Sequence, residues 1–291
     1  MKHRLAALVL AGLVLAAAPA LGQTPAGVVR AAADRFGHVP EKKLAPDVSA
    51  LGISFTSPSG KAVDGELVMG RGKGPHPAVL FVHWLGDPKT TNRTEFEPDA
   101  VALARRGVTS LLVDTVWARP GWFDTVGKSS DEDVAQAREQ LAELRRGLDI
   151  LALQPSVDPD RIAYVGHDFG AMFGALLAGV DSRPRVFVLM AGVPTMSQWY
   201  LLGKTHPQRE AYVAALDALD IKKSLGASHA KGFLFQFASK DHYVKPQDAA
   251  AFFEAAPLPR GLFTYDADHD LDTPQAHADR LAWLTEQLLA P

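Results

Sequence analysis

The stretch Val165-Gly166-His167-Asp168-Phe169-Gly170-Ala171 decides how this chain folds. It closes an apolar run that is typical of a buried strand, and it opens a segment with the pattern of a helix. Two glycines flank Asp168 at positions i−2 and i+2, so a strand can turn sharply into a helix without a side-chain clash. The sequence therefore predicts a strand-turn-helix unit that presents the Asp168 carboxylate beside the positive end of the helix.

Buried strands and helices alternate around this unit. Nearly continuous apolar runs are typical of strands covered on both faces, and they span residues 77–84, 108–115, 162–168, 185–191, 232–238 and, more briefly, 261–265. Helical periodicity predicts helices at residues 96–106, 131–153, 169–178, 247–256 and 274–289. Earlier, Pro58-Ser59-Gly60 separates two strand-like segments, 51–57 and 62–69, as in a hairpin. The predicted fold class is α/β, a doubly wound and mostly parallel sheet with an N-terminal antiparallel hairpin.

The order of these segments predicts one folded domain behind a leader. Residues 1–22 combine a positive start, a short apolar run and a small-residue end, which indicates a cleaved signal peptide. Residues 23–48 are predicted as an extended lead-in, and residues 49–291 as the domain. Within it, residues 194–231 interrupt the strand-helix rhythm and predict a short, lid-like helical insertion over the carboxyl edge of the sheet. A signal peptide implies a secreted or periplasmic protein with no membrane contact after its removal.

Composition argues against several function classes. The formal net charge of −3 over 291 residues gives no electrostatic reason to expect binding to nucleic acid or to an anionic membrane. The chain has no cysteine, so its stability comes from the core without disulfides. No phosphate loop or dinucleotide fingerprint occurs in a suitable context, so no cofactor is predicted. The acidic cluster around His269 has no second group of ligands at a suitable spacing, so no metal site is predicted either.

The segment around Asp168 resembles the nucleophile elbow, G-x-[nucleophile]-x-G, of the α/β-hydrolase superfamily, where most members carry serine. The preceding stretch Val157-Asp158-Pro159-Asp160-Arg161-Ile162 resembles the entry to this strand in dienelactone-hydrolase-like and prolyl-oligopeptidase-like members. The resemblance covers most of the chain from residue 50 onward and implies the α/β-hydrolase fold. It also implies a chain order of nucleophile, acid and histidine, which assigns Asp168, Asp241 and His269 to those roles.

The resemblance implies an oxyanion hole as well. The segment His83-Trp84-Leu85-Gly86 follows the first long buried strand, and relatives often have glycine where this chain has Trp84. The implied donors are the backbone N–H groups of Leu85 and Phe169.

An aspartate at the elbow implies a different reaction from serine. A carboxylate can displace a leaving group from a saturated carbon or open a strained ring, and water activated by His269 would then hydrolyse the resulting ester of Asp168. This scheme is what the resemblance to haloalkane dehalogenases, haloacetate dehalogenases and epoxide hydrolases implies. The candidates for binding the substrate or its leaving group are aromatic residues with polar N–H or O–H groups, namely Trp84, Trp117, Trp199 and Tyr200. Of the tryptophans in this part of the chain, Trp84, Trp117 and Trp122 are equally compatible with an ordinary core or pocket wall.

Two hypotheses remain open. The first is an exported hydrolase of small organic substrates that uses water and an aspartate nucleophile. The bond that it cleaves is left open. A carbon–halogen bond or an epoxide fits the chemistry of an aspartate nucleophile. An ester or lactone fits the short insertion, which resembles the dienelactone-hydrolase branch more than the larger cap usual in dehalogenases. The second is a non-catalytic pseudoenzyme or binding protein, in which the helix dipole simply tolerates Asp168.

Overall fold

A computed structural model describes residues 41–87 and 92–290. These residues form a nine-stranded sheet with strand order β1-β2-β3-β5-β4-β6-β7-β8-β9. The strands are β1 (Glu41–Ala45), β2 (Val48–Thr56), β3 (Ala62–Val68), β4 (His76–Val82), β5 (Thr109–Val113), β6 (Val157–His167), β7 (Pro184–Met190), β8 (Gly232–Ala238) and β9 (Arg260–Tyr265). Pairing is antiparallel from β1 through β3 to β5 and parallel from β5 through β4 to β9. The predicted fold class, including the N-terminal hairpin, is confirmed.

The helices lie between the strands along the chain. They are α1 (Glu97–Arg105), α2 (Trp122–Thr125), α3 (Ser130–Ala152), α4 (Phe169–Ala178), α5 (Met196–Tyr200), α6 (Arg209–Asp217), α7 (Ile221–Gly226), α8 (Pro246–Ala255) and α9 (Pro274–Leu289). Two short 3-10 helices, Asn92–Phe96 and Val116–Ala118, precede α1 and α2. Every residue of β4, β5 and β8 is buried, which explains why these strands are apolar almost throughout.

The first strand differs from the expectation for the lead-in. Residues 41–45 form β1, which pairs with β2 at the edge of the sheet. Its sequence, EKKLA, is polar and largely exposed, so no alternation of apolar residues marks it as a strand. The predicted signal peptide and residues 23–40 of the lead-in lie outside the described residues.

The helix that follows the His269 loop is fixed by a buried ion pair. The guanidinium of Arg280 on α9 donates to Asp99 on α1, with Nε and Oδ2 2.7 Å apart, and to Gln236 on β8, with Nη1 and Oε1 2.9 Å apart. Both members of the ion pair are 1% exposed. Removing one partner of such a pair typically costs about 3–5 kcal/mol, because the remaining charge stays buried. This anchor holds the start of α9, and with it the preceding loop, against the sheet.

The predicted insertion contains α5, α6 and α7. The hydroxyl of Tyr212 on α6 donates to Asp133 Oδ2 on α3 over 2.6 Å, which ties the insertion to the body of the domain. The α5 helix brings Trp199 and Tyr200 against Phe169, with ring centroids 5.9 Å and 5.7 Å away. The insertion therefore lies over the elbow that follows β6.

Candidate functional site

The site is built at the carboxyl ends of four parallel strands. Leu85 follows β4, Asp168 follows β6, Asp241 follows β8 and His269 follows β9. Carboxyl ends of parallel strands meet at one edge of the sheet, so residues far apart in sequence can converge there. The structure brings these four together, as the sequence suggests.

Asp168 occupies a strained turn. Its φ and ψ are 57° and −116°, outside the favoured regions for a residue with a side chain. The neighbouring glycines are required by contact, because a Cβ on Gly166 would lie 2.3 Å from the Gly170 carbonyl oxygen, and one on Gly170 would lie 2.1 Å from that of Val82. The close approach of β6, α4 and the loop after β4 therefore depends on both glycines, and it directs the Asp168 side chain into the site.

The two oxygens of the Asp168 carboxylate have different surroundings. Oδ2 accepts a hydrogen bond from the backbone N–H of Leu85 over 3.1 Å, whereas Oδ1 is buried and has no hydrogen-bond partner among the described residues. The residue is 3% exposed. Burial raises the pKa of Asp168 to about 6, although the nearby charges of His269 and His167 act in the opposite direction. The carboxylate is therefore mostly ionised at neutral pH, but poorly solvated.

His269 and Asp241 form a hydrogen-bonded pair beside Asp168. The ring Nδ1 donates to Asp241 Oδ2 over 2.8 Å, and the other Asp241 oxygen accepts from the backbone N–H groups of Tyr243 and Val244. Burial alone would raise the pKa of Asp241, but its bond to His269 and the charge of that ring hold it below its usual value. Burial alone would lower the pKa of His269, but the Asp241 bond and the charge of Asp168 together raise it. The pair has the orientation of a general base and the acid that positions it.

Aromatic rings cover the His269 ring. Tyr243, Trp199 and Trp84 have ring centroids 5.0 Å, 5.5 Å and 5.9 Å from it. A cavity of about 410 Å³ adjoins Trp84, and Asp270 also lines it. Since His269 is 7% exposed, the reactive groups lie beneath these rings rather than in open solvent.

The remaining predicted site residues fall into two groups. Trp199 and Tyr200 are buried against the elbow, and neither the Trp199 Nε1 nor the Tyr200 hydroxyl has a hydrogen-bond partner among the described residues. Trp117 belongs to the core instead: it is 0% exposed, and its indole N–H donates to the carbonyl oxygen of His83 over 3.2 Å. The prediction that Trp117 lines the pocket is therefore wrong, because its indole N–H is already bound to a backbone carbonyl in the core. Phe169 begins α4, so its backbone N–H has no intrahelical acceptor.

A second carboxylate–histidine pair was not found from sequence. Glu95, in the first 3-10 helix, accepts from the ring of His167, with Oε1 and Nδ1 2.7 Å apart, and from the backbone N–H of Trp84 over 2.9 Å. The other nitrogen of His167 lies 2.9 Å from the carbonyl oxygen of His269. The sequence suggested only that His167 packs beneath the elbow. No short motif marks Glu95, since its partner lies 72 positions further along the chain.

Other kinds of site were also searched for. Within residues 41–87 and 92–290, no group of three or more histidine, aspartate or glutamate side chains is arranged to hold a metal ion. No helix in the same part of the chain has the length and apolar character needed to span a membrane.

Comparison with known proteins finds partial sequence matches to a transferase and to esterases, and structural matches over most of the chain. No protein-family model matches the chain. Among curated proteins, it is 33% identical to polyketide transferase ATR5 of Stachybotrys chlorohalonatus over 94 residues, which are 32% of this chain and 29% of that protein. It is 32% identical to esterase FrsA of Escherichia fergusonii over 134 residues, which are 46% of this chain and 29% of that protein. The chain thus spans less than a third of the length of these relatives.

Solved structures match over much more of the chain. The acetyl xylan esterase from Paenibacillus sp. R4 superposes with a TM-score of 0.69 and 18% identity, covering 89% of this chain and 92% of that one. The 2,6-dihydroxy-pseudo-oxynicotine hydrolase superposes with a TM-score of 0.63 and 16% identity, covering 90% of this chain and 72% of that one. At this identity the similarity establishes the fold alone: the chain has the α/β-hydrolase fold.

Proposed function

We propose that this protein is an exported hydrolase that cleaves a carbon–halogen bond in a small organic molecule through a covalent ester of Asp168. The observation that carries this proposal is the unequal bonding of the two Asp168 oxygens. Oδ2 accepts the Leu85 N–H, and Oδ1, although buried, has no partner within residues 41–87 and 92–290. An oxygen without a hydrogen bond is the better nucleophile, because no bond has to break before it attacks.

In the first step, Oδ1 attacks the saturated carbon that carries the leaving group. A carbon–oxygen bond forms, the carbon–halogen bond breaks, and its electron pair leaves with the halide. The indole N–H of Trp199 is a buried donor with no partner in the described part of the chain, and its ring packs against that of His269. Such a donor suits an anion that develops in a water-poor site.

The two candidate donors, the Trp199 N–H and the Tyr200 hydroxyl, argue for a halide substrate rather than an epoxide. An opened epoxide leaves an alkoxide, which needs a proton, whereas a halide needs only a hydrogen bond. Tyr200 carries the hydroxyl among the predicted pocket residues, but burial and the charge of Asp133 raise the pKa of this hydroxyl well above its usual value. Tyr200 is therefore a poor proton donor, and Trp199 fits the weaker demand of a halide.

In the second step, His269 takes a proton from water, and the hydroxide attacks the carbonyl carbon of the ester. The negative charge develops on Oδ2, where the Leu85 N–H already donates. The bond between this carbon and Oδ1 then breaks, and the alcohol leaves with Oδ1 and a proton from His269. Because the ester has no charge at Asp168, one of the influences that raise the pKa of His269 is absent in the intermediate, while the Asp241 bond remains, and the ring is a more available base.

Ester hydrolysis is the second candidate, and the resemblance to esterases favours it. The curated relative FrsA and the acetyl xylan esterase are both named as esterases. With aspartate at the elbow, hydrolysis of an ester would pass through an anhydride or through water activated without a covalent intermediate. Both routes are less favourable for a carboxylate than displacement at a saturated carbon.

A single turnover in heavy-oxygen water tests the two candidates. Excess protein is incubated separately with a short primary haloalkane, an epoxide and an acetate ester, and the peptide that contains Asp168 is then weighed. We expect one heavy oxygen in that peptide with the haloalkane, because water supplies the new carboxylate oxygen. The peptide that contains Asp241 is the internal control and should stay unlabelled.

The other outcomes separate the alternatives. Consumption of the haloalkane with no label in Asp168 would overturn the covalent route. Consumption of the ester alone would favour the second candidate, and consumption of none of the three would favour a non-catalytic binding protein. Asp168→Ser supplies a companion measurement, since a gain of esterase activity would show that the remaining groups can support acyl transfer.

Export is a separate part of the proposal. Its support is the signal-peptide pattern of residues 1–22. Expression of the whole chain in a bacterial host, followed by fractionation and mass measurement of the mature N-terminus, tests it. We expect a periplasmic or secreted product that begins near Gln23, and an uncleaved cytoplasmic product would contradict export.

A further inference from the structure

The ring of His167 lies between two groups that can only accept hydrogen bonds. Its Nδ1 lies 2.7 Å from a carboxylate oxygen of Glu95, and its Nε2 lies 2.9 Å from the carbonyl oxygen of His269. A neutral imidazole has one N–H and can donate to only one of them. The ring is 0% exposed, so water cannot replace the missing donor at the other nitrogen.

His83, in the same site, shows the opposite arrangement. Its Nδ1 faces the carbonyl oxygen of Trp84 at 2.6 Å, whereas its Nε2 faces the backbone N–H of Thr115 at 3.2 Å. One acceptor and one donor suit a neutral ring, and burial lowers the pKa of His83 to about 3. The two buried histidines therefore differ in what their partners require, not in exposure.

The geometry points to an imidazolium at His167, paired with the Glu95 carboxylate, that positions the oxyanion loop, the elbow and the His269 loop around the reacting carboxylate. Glu95 binds the backbone next to the Leu85 donor, and His167 directly precedes Asp168 and binds the backbone of His269. This positioning role rests on the proposed function. The charge on the ring does not.

The surroundings favour the charged form of the pair. The Trp84 N–H donates to the second oxygen of Glu95, which stabilises the carboxylate. The other charged or titratable groups around the pair are Asp168 on the elbow, His269 with Asp241 behind it, neutral His83 after β4, and Arg93 two residues before Glu95. The cavity beside Glu95 adds Asp87, Asp270, Asp272, His277 and Arg280. With Asp168 ionised, a positive ring that is bound to the Glu95 carboxylate and interacts with the charge of Asp168 is stabilised by both.

Glu95→Gln removes the charge and can keep the geometry. The glutamine carbonyl can accept the Trp84 N–H, and its amide can donate to His167 Nδ1, so a neutral ring still donates from Nε2 to His269. Glu95→Ala removes these bonds altogether. Glu254→Gln, an exposed residue on α8, is the matched control for loss of one carboxylate.

The direct test observes the resting protein without substrate. In heteronuclear NMR of nitrogen-labelled histidine at neutral pH, we expect directly bonded protons on both ring nitrogens of His167 and on only one of His83. Glu95→Gln should remove the proton from Nδ1 of His167, and Glu254→Gln should leave it. A wild-type His167 that carries a proton on only one ring nitrogen, whichever it is, would overturn the inference, whatever the protein hydrolyses.

Activity measurements on the substrate that is found test the positioning role. We expect Glu95→Ala to lower kcat about 10- to 100-fold with little change in KM, since small displacements of reacting groups are costly. Glu95→Gln should recover most of kcat. Its acidic limb should move to higher pH, because the charge of His167 lowers the pKa of Asp168 more than the charge of Glu95 raises it. Equal loss in both variants, or an unmoved limb in Glu95→Gln, would contradict the role while leaving the halide chemistry intact.

Discussion

Two carboxylate–histidine pairs lie beside the same aspartate, and they differ in what the second ring nitrogen meets. In Asp241–His269 the carboxylate contacts Nδ1 at 2.8 Å, and in Glu95–His167 it contacts Nδ1 at 2.7 Å. The ring centroids of the two histidines are 5.3 Å apart. Nε2 of His167 is bound to a backbone carbonyl, whereas the bond of His269 to Asp241 occupies only Nδ1 of that ring. In the proposed mechanism the Glu95–His167 pair therefore holds the site in position, and the Asp241–His269 pair moves a proton.

A carboxylate–histidine pair does not by itself indicate a general base. The second nitrogen decides the role, because a base needs one nitrogen without a fixed partner. Both pairs act on Asp168, and the positive charge of either ring lowers its pKa. Changes to Asp168 and to each pair should therefore have effects of different size and kind.

Neutralising Asp168 should have the largest effect, because it removes the group that both histidines face. We expect Asp168→Asn to lower kcat/KM about 10⁵-fold, as loss of a covalent nucleophile does in other hydrolases. The side chain keeps its shape, and its carbonyl oxygen can still accept the Leu85 N–H. The variant should also have a lower pKa at His269, measurable by NMR titration, because the charge of Asp168 contributes to raising it. Full activity in Asp168→Asn would exclude nucleophilic attack by this residue.

Breaking the Asp241–His269 pair at the histidine should stop turnover after the first step. We expect His269→Gln to lower steady-state kcat about 10⁴-fold, the upper range for loss of a general base. Attack by Asp168 does not need this base, so halide should still be released in a burst that matches the amount of protein. Mass measurement should then find the alkyl group on the peptide that contains Asp168. Loss of the burst together with turnover would argue that His269 acts before the ester forms.

Breaking the same pair at the carboxylate should have a smaller effect. We expect Asp241→Asn to lower kcat about 10³-fold, because the ring of His269 loses the anion that orients it and stabilises its charged form. The pKa of His269 should fall, since the Asp241 bond and charge are among the influences that raise it. Asp160→Asn, at an exposed position near the start of β6, is the control for this change. An effect no larger than that of Glu95→Gln would remove the functional distinction between the two pairs.

The sequence was sufficient for the parts of the molecule that depend on local pattern. Apolar runs revealed the buried strands, and Gly166 and Gly170 revealed the turn, because close packing there leaves no room for a Cβ. Chain order placed Asp241 and His269 at strand ends that converge on Asp168. The polar edge strand β1 has no such pattern, since one side of it faces solvent.

The sequence was insufficient where a role depends on which groups meet in space. Glu95 becomes part of the site only because His167 and Trp84 approach it from distant segments. Trp117 and Trp199 look alike as residues near the predicted pocket. One indole N–H is bound to the His83 carbonyl in the core and the other has no partner among the described residues, which only coordinates can distinguish.

Trp199→Phe tests the proposed stabilisation of the leaving group separately from the two carboxylate–histidine pairs. The substitution keeps a ring beside His269 and removes only the N–H, so both carboxylate–histidine pairs should be undisturbed. We expect the rate of halide release to fall about 10- to 100-fold, as for loss of one donor to a developing anion. Hydrolysis of a preformed ester at Asp168 should change much less. Trp283→Phe on α9 is the control, and equal effects of the two substitutions would contradict a leaving-group role for Trp199.

The rates of halide release and ester hydrolysis should depend differently on pH, and measuring them requires no substitution in the protein. Asp168 must be ionised to attack, and burial raises its pKa to about 6, so the rate of halide release should fall as pH falls through that value. From about pH 7 to about pH 5 the ionised fraction drops roughly tenfold, and the rate should follow it. Ester hydrolysis needs neutral His269, whose pKa in the ester is lowered by the loss of the Asp168 charge, so this step should not show the limb that the resting His269 would give. Stopped-flow measurement of both steps tests this order. A hydrolysis step that fails at higher pH than halide release would mean that His269 keeps its raised pKa after Asp168 is neutralised, and that the bond and charge of Asp241, not the charge of Asp168, control it.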